Sequence, residues 1–323
     1  MRIAPLLRCL GVLTLLLSPA ALAASDEQAR VLDVQALFAK MSRVSHVLNY
    51  QGSFTYEHKD SPNLQGFRLA HWVVDGVEYE RLQYLNGADR EIVRNGRELS
   101  CLTPRDQLLQ GRLRQAGAET ARLDELYHFQ TQYVERVAGR LTSVLQVAPR
   151  DIYRYGYLLS VDHETGLILK SLMVDANGRV LERLQFLDLD LNPDIAELEQ
   201  LPAARRQHIS NSEINDCNQI EAGEPEDWRL SWVPDGFVFV GQQQLDGREM
   251  LMYTDGLANF SVFIEPTSDL PPEGVGQRGA TSLFMSKVMR GQQLHRVSVV
   301  GEIPTLAAEQ IALGLEPQLE TIP

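Results

Sequence analysis

Phe67-Arg68-Leu69-Ala70-His71-Trp72-Val73-Val74-Asp75-Gly76-Val77-Glu78-Tyr79-Glu80-Arg81-Leu82-Gln83-Tyr84-Leu85-Asn86-Gly87 holds two strand-length runs, each ending in a two-residue turn signal. Asp-Gly and Asn-Gly tolerate positive φ at both central turn positions, which the twist of a tight hairpin demands. The pattern continues on both sides. Upstream, Tyr50, Gly52, Phe54 and Tyr56 alternate with polar residues. Downstream, Arg90 to Arg94 and Arg97 to Leu102 flank Asn95-Gly96. Period-two runs separated by such turns predict successive antiparallel hairpins, a meander.

Before the strands the period is different. Val34, Leu37, Phe38, Met41, Val44 and Leu48 recur at three- and four-residue steps, which predicts a helix with one apolar stripe. Residues 104–127 read as short helix and loop. Strands resume at 131–138, 141–148, 155–161, 167–174 and 179–189. Turns at Glu164-Thr165-Gly166 and Asn177-Gly178 separate the last three. One helix against a long curling meander predicts a sheet bent around the helix, with a groove left if it does not close.

A polar, charge-rich stretch follows Asn192-Pro193-Asp194 and has linker composition. The expected domains are 24–200, a linker at 201–226, and a smaller β domain at 227–323. In the smaller domain Phe237 to Gln243, Met250 to Thr254, Ala258 to Glu265, Ser282 to Met289 and Leu294 to Gly301 read as strands. Pro304-Thr305 starts a final helix through about Leu313, with Gly314 at its end.

The first 23 residues predict a cleavable secretory signal. Arg2 and Arg8 precede the apolar run Cys9 to Leu17, and Ala21-Leu22-Ala23 is an A-x-A cleavage site. The apolar run is shorter than the roughly 20 residues that span a bilayer. Position 24 is Ala, where a lipoprotein needs Cys. The chain carries 30 basic and 43 acidic residues, net −13, and cleavage removes two of the positive charges. An acidic chain is unsuited to nucleic acid. Export makes cytoplasmic cofactors unexpected, and none is predicted. Cys101 and Cys217 survive cleavage. An oxidising compartment permits a disulfide between them, and two isolated thiols fit the sequence equally.

Catalytic motifs are not found. Gly274, Gly276 and Gly279 spell G-x-G-x-x-G, but Asp269-Leu270-Pro271-Pro272-Glu273 precedes them where a strand should stand. A flexible hairpin loop is expected there. The seven histidines form no metal-ligand spacing, and no G-x-S-x-G elbow occurs. An envelope hydrolase with a motifless site is the least favoured reading. The apolar surface is more informative. Phe54, Tyr56, Phe67, Leu69, Trp72, Leu82 and Tyr84 are the candidate contacts for an acyl chain, against ordinary core as the alternative for each.

Several motifs resemble the RseB/MucB family. They include Glu80-Arg81-Leu82, Leu85-Asn86-Gly87, Arg90-Glu91-Ile92-Val93-Arg94 with Cys101, and Gly156 to Leu167. In the second domain they are Trp232-Val233-Pro234-Asp235-Gly236-Phe237, Tyr253 to Ala258 with Ser261-Val262-Phe263, and Val300-Gly301-Glu302-Ile303-Pro304. The resemblance runs in order over nearly all the chain after the signal, and it is closest to the MucB branch of pseudomonads. It implies an α+β, β-rich fold. A larger open antiparallel half-barrel similar to LolA and LolB, with a covering helix, would precede a smaller antiparallel β domain with a C-terminal helix. It also implies a periplasmic negative regulator of the envelope-stress sigma factor, with alginate production among the outputs. The implied partner is the periplasmic domain of a membrane-spanning, MucA/RseA-like anti-sigma factor, shielded from a site-1 protease and released by a lipidic ligand. Phe260, Phe263, Phe284 and Met285 are the candidate partner contacts, against ordinary core as the alternative for each. No metal and no enzymatic step are expected, and a homo-oligomer is allowed. A periplasmic lipid or lipoprotein carrier is the alternative.

Overall fold

The structure, a computed structural model, describes residues 34, 37, 40, 41, 44, 47–61, 63–75, 77–87, 90–95, 120–196, 225, 227–245, 247–270 and 272–318. Cys101, Cys217, Phe38, the signal segment, the strand expected at 97–102 and most of the expected linker lie outside these residues.

The first four strands are β1 (Tyr50–His58), β2 (Gln65–Val74), β3 (Val77–Tyr84) and β4 (Glu91–Asn95). They form the meander that the turn signals predict. A helix, Thr120–Leu126, leads into β5 (Tyr127–Val137), which starts four residues before the expected strand. A second meander adds β6 (Arg140–Pro149), β7 (Gly156–Asp162), β8 (Ile168–Val174) and β9 (Val180–Phe186). The two meanders are not one continuous ribbon. They join side by side through β1 and β9, giving a nine-stranded sheet in the order β4-β3-β2-β1-β9-β8-β7-β6-β5. Among the described residues, β4 and β5 end the sheet without pairing, so it does not close.

The seam depends on close approach. Phe54 faces Phe186 and His58 faces Glu182 across it. Beyond β9 the chain keeps hugging β1, with Leu187 N donating to Ser53 O at 2.8 Å and Asp190 N to Gln51 O at 2.8 Å. Gly52 makes room for this, since a Cβ there would sit 2.5 Å from the Asp188 carbonyl oxygen. Gly52→Ala is therefore expected to cost about 1–3 kcal/mol, because the obstacle is backbone and cannot rotate away. A urea melt checks it; an unchanged midpoint would mean the seam yields freely.

The opening helix lies on the inner face. Val34, Leu37, Lys40, Met41, Val44 and Val47 are helical. Leu37 and Met41 join a buried cluster with Tyr127, Leu145, Tyr157 and Met173 from the second meander. Val44 joins Tyr50, Phe54, Phe67, Leu69 and Phe186 from the seam and the first meander. The stripe thus serves both halves of the sheet. The helix is pinned at the β7–β8 turn, where Lys40 Nζ donates to His163 O at 2.6 Å.

Asp162 builds that turn. Its carboxylate accepts from Thr165 N at 2.9 Å and Thr165 Oγ1 at 2.8 Å, and from Arg140 Nε and Nη2 at 2.9 Å each. Burial pushes its pKa up, but the Arg140 fork and the Thr165 donors outweigh this and hold it below the usual range. A depressed folded pKa means the stabilisation is complete above the ordinary carboxylate range. It is lost as pH falls through the folded value. Asp162→Asn is expected to lower stability at neutral pH and to flatten the acid limb of a stability–pH curve. An acid limb as steep as the wild type's would contradict this.

The second lobe contains β11 (Val238–Leu245), β12 (Arg248–Thr254), β13 (Asn259–Thr267), β14 (Gly274–Arg278), β15 (Thr281–Arg290) and β16 (Gln293–Gly301). Their order is β11-β12-β13-β16-β15-β14. The glycine motif is not a loop. Gly274, Gly276 and Gln277 pair with Met285, Leu283 and Ser282, and Gly279 makes the turn at φ +59°. Glycine's missing side chain hides the alternation from which a strand is read. The C-terminal helix Thr305–Leu313 buries Ala307, Ala308, Ile311 and Ala312 against this sheet. A clip of β10 (Trp228–Leu230) with β17 (Leu315–Pro317) ties the two ends of the lobe together.

Candidate functional sites on two sheet faces

Strand register sorts the candidate lipid contacts. Phe54 faces Phe67, Phe67 faces Tyr84 and Leu69 faces Leu82, and Tyr56 shares the Phe54 face. These six lie on the inner face. Phe54 and Phe67 stack at 5.0 Å, and Tyr84 meets Phe67 edge-on at 4.8 Å. Phe54, Phe67 and Leu69 are fully buried, while Tyr56, Leu82 and Tyr84 are half-buried at the margin. Arg90 sits over the Tyr84 ring at 5.4 Å. Tyr56, Leu82 and Tyr84 are thus partly open at the margin, whereas Phe54 and Phe67 are enclosed in a cluster to which Val44 and Leu48 also belong. Trp72 is not with the others. It points to the outer face, stacked on Tyr79 at 5.5 Å beside Ala70, Val74 and Ile195. The period of two separates Leu69 from Trp72, three residues apart.

The same parity divides the candidate partner contacts. Phe260 is buried against the C-terminal helix, in one cluster with Val262, Val299 and Ile311, and Phe284 packs against that cluster. Phe263 and Met285 point away from the helix. Both stand opposite Ser298, and Phe263 also faces Met250. Met250, Phe263, Ser298 and Met285 thus form one row on the outer face of the small sheet, all half-buried. Charges border it. Glu265 pairs with Arg296 and with Arg248 at 3.2 Å, and Lys287 meets Glu273 at 2.5 Å. An apolar centre with a charged rim has the anatomy of a protein-binding surface, and methionines adapt their shape to a partner.

The most concentrated polar chemistry lies at the lobe junction. Arg154, in the β6–β7 turn, is fully buried. Its Nε donates to Asp255 Oδ2 at 2.6 Å, and its Nη1 and Nη2 reach Asp151 and the Asp235 carbonyl. Its guanidinium lies 4.8 Å over Phe237. Asp255 is equally buried and also accepts from Tyr127 Oη at 2.9 Å, Leu257 N at 2.9 Å and Ala258 N at 2.7 Å. Burial, then the Asp255 carboxylate, hold the Tyr127 phenol well above its ordinary pKa, so it stays a donor. Asp255-Gly256 reads as a turn in sequence, which conceals the second task of its carboxylate. No local pattern marks Arg154.

Comparison with known proteins agrees with this two-lobe plan. A family model described as the MucB/RseB N-terminal domain matches residues 33–205. The MucB/RseB C-terminal domain matches residues 222–316. The chain belongs to the MucB/RseB family. The sigma factor AlgU regulatory protein MucB of Pseudomonas aeruginosa is 35% identical over 84% of this chain and 86% of its own. The sigma-E factor regulatory protein RseB of Haemophilus influenzae is 28% identical over 91% of this chain and 95% of its own. Among solved structures, MucB in complex with MucA(peri) superposes with TM-score 0.72 at 32% identity, covering 89% of this chain and 100% of that one. The P. aeruginosa MucA/MucB complex gives TM-score 0.73 at 30% identity, with the same coverage. These matches show the fold: an open antiparallel sheet with its helix, and a smaller sheet with a C-terminal helix.

Proposed function

We propose that this chain is a periplasmic negative regulator that binds the periplasmic segment of a MucA/RseA-like membrane anti-sigma factor. Bound, the segment is shielded from the site-1 protease, and the sigma factor stays sequestered. A lipidic envelope component taken up on the inner face of the large sheet releases it. The protein acts by binding and not by catalysis. The observation that carries this reading is the likeness, over both lobes, to MucB solved with MucA(peri). The outer row Met250-Phe263-Met285 offers a surface for such a segment, and the margin Tyr56-Leu82-Tyr84 offers one for an acyl chain.

The test is a titration of MucA(peri) by calorimetry, followed by a site-1 protease digest with and without the chain. The expected results are saturable binding and slower cleavage in proportion to occupancy. Binding with cleavage unaffected would sink the shielding. Transfer of lipid between vesicles without any protein partner would favour the carrier reading.

A further inference from the structure

Two turns of the small sheet reach into the large lobe. The β12–β13 turn carries Asp255 to Arg154. The β14–β15 turn carries Gly279 and Ala280, whose backbone N–H groups donate to Asp60 Oδ2 and Glu182 Oε1 at 3.0 Å each. Arg278 Nε donates to His58 Nε2 at 3.3 Å, and Gln277 Nε2 to Tyr155 Oη at 3.1 Å. Leu257 from the first turn and Ala280 from the second are buried in the same cluster as Leu37 and Met41 of the opening helix.

The turns differ in how hard they are to part. The first buries a charge pair, and separating it would leave Asp255 a buried anion without its cation. The second holds through amide-to-carboxylate bonds and the Arg278–His58 and Gln277–Tyr155 contacts at a half-buried margin, and through one small apolar side chain. It also sits at the end of the aromatic row, since Tyr56 lies two residues before His58 on the same face of β1, and His58 faces Glu182. Both turns continue directly into the strands of the candidate partner face. β12 carries Met250, β13 carries Phe263 and β15 carries Met285.

We propose that the junction is a clasp, with Arg154–Asp255 as its pivot and the 278–280 turn as its latch, which carries the state of the helix and the inner face to the partner row. This rests on the reading that the small lobe binds the partner. The latched state binds the anti-sigma segment. A ligand that shifts the opening helix removes the floor beneath Ala280, and one that crowds Tyr56 presses on His58 and Glu182; either lifts the latch. The lifted hairpin draws Met285 away from Ser298, and so from the row it shares with Phe263. Linkage makes the effect mutual, so the bound segment also opposes ligand entry.

The experiment uses the full chain. Gly279→Val opens the latch from the small lobe, because a Cβ there would lie 2.9 Å from both Glu182 Oε1 and His58 Cβ. The double variant Asp60→Asn with Glu182→Gln weakens it from the large lobe without new bulk. Met41→Ala loosens the shared cluster from the helix side. Hydrogen exchange and MucA(peri) affinity are measured on each. Exchange at 278–281 is expected to rise at least about tenfold in all three variants, while the amides of Leu257 and Ala258 change less than about twofold. Affinity should fall at least about tenfold, or ~1.4 kcal/mol. Raised latch exchange with unchanged affinity would overturn the clasp, as would unchanged exchange in the two latch variants. Unchanged exchange in Met41→Ala alone would overturn the link to the helix. A wild-type chain that fails to bind MucA(peri) would sink the proposed function itself, and the clasp's role with it.

Discussion

Arg154→Met is expected to cost the folded chain about 3–5 kcal/mol, the range for breaking a buried ion pair by removing one partner. The guanidinium satisfies Asp255, Asp151 and the Asp235 carbonyl together while stacking on Phe237. Methionine fills much of the volume and supplies none of the donors. Asp255 would keep its bonds from Tyr127, Leu257 and Ala258, but it would remain a buried anion with no cation beside it. Arg154→Lys should recover little. One ammonium cannot reproduce a planar fork aimed at three acceptors on two lobes. Asp255→Asn keeps an acceptor for the turn amides, and Asp151 still faces the guanidinium, so its cost should be smaller, about 1–3 kcal/mol. The two substitutions together should cost less than their sum, because the second removes the charge that the first leaves stranded. Urea unfolding of the wild type and the four variants checks this. A loss below about 1 kcal/mol for Arg154→Met would mean that water reaches the site, and that the pair is not the dry junction its burial indicates.

Much of the architecture is legible in the residues, because local signals and global fold agree. The β2–β3 hairpin reverses beside Asp75, and the chain turns again at Asn86-Gly87 before β4, both where expected. The period change after Leu48 separates helix from sheet, and Pro304 with Gly314 brackets the last helix. What was not legible is long-range. The pairing of Phe54 with Phe186 joins residues more than a hundred positions apart, and neither flank carries a register signal. The Gly274–Arg278 strand was hidden because its pairing comes from a neighbour and not from its own alternation. The candidate sites were half legible for one reason. Composition identified aromatic and methionine residues, but face assignment requires strand parity counted from a fixed register. Trp72 differs in parity from Leu69, and Phe260 from Phe263, and residue type alone does not separate the members of either pair. Arg154 and Asp255 were missed because each looks ordinary alone, a turn arginine and an Asp-Gly turn, and only the docking of two lobes makes them a pair.

Phe260→Ala and Phe263→Ala should therefore fail in opposite ways. Phe260 is buried, stacked on Tyr253 at 5.0 Å and tilted against Phe237 at 5.2 Å. Its truncation opens a cavity beneath the C-terminal helix and should cost about 3–5 kcal/mol of stability. Any loss of partner binding should follow the fraction unfolded and recover when the chain is held below its melting temperature. Phe263 is three positions away on the same strand, faces the other side, and stands in the row with Met250 and Met285. Its removal should change stability by about 1 kcal/mol or less. It should weaken MucA(peri) binding by about 2 kcal/mol or more, the range of an aromatic hot spot at the centre of an interface. Met285→Ala should repeat the Phe263 pattern with a smaller loss, since a flexible thioether can be replaced in part by repacking. Thermal melts and calorimetric titrations on the same preparations separate the two axes. If Phe263→Ala binds as the wild type does, the outer row is not the partner surface. The anti-sigma segment must then lie elsewhere on the chain, with the exposed edge strands β5 and β14 as the next surfaces to test by the same pair of measurements.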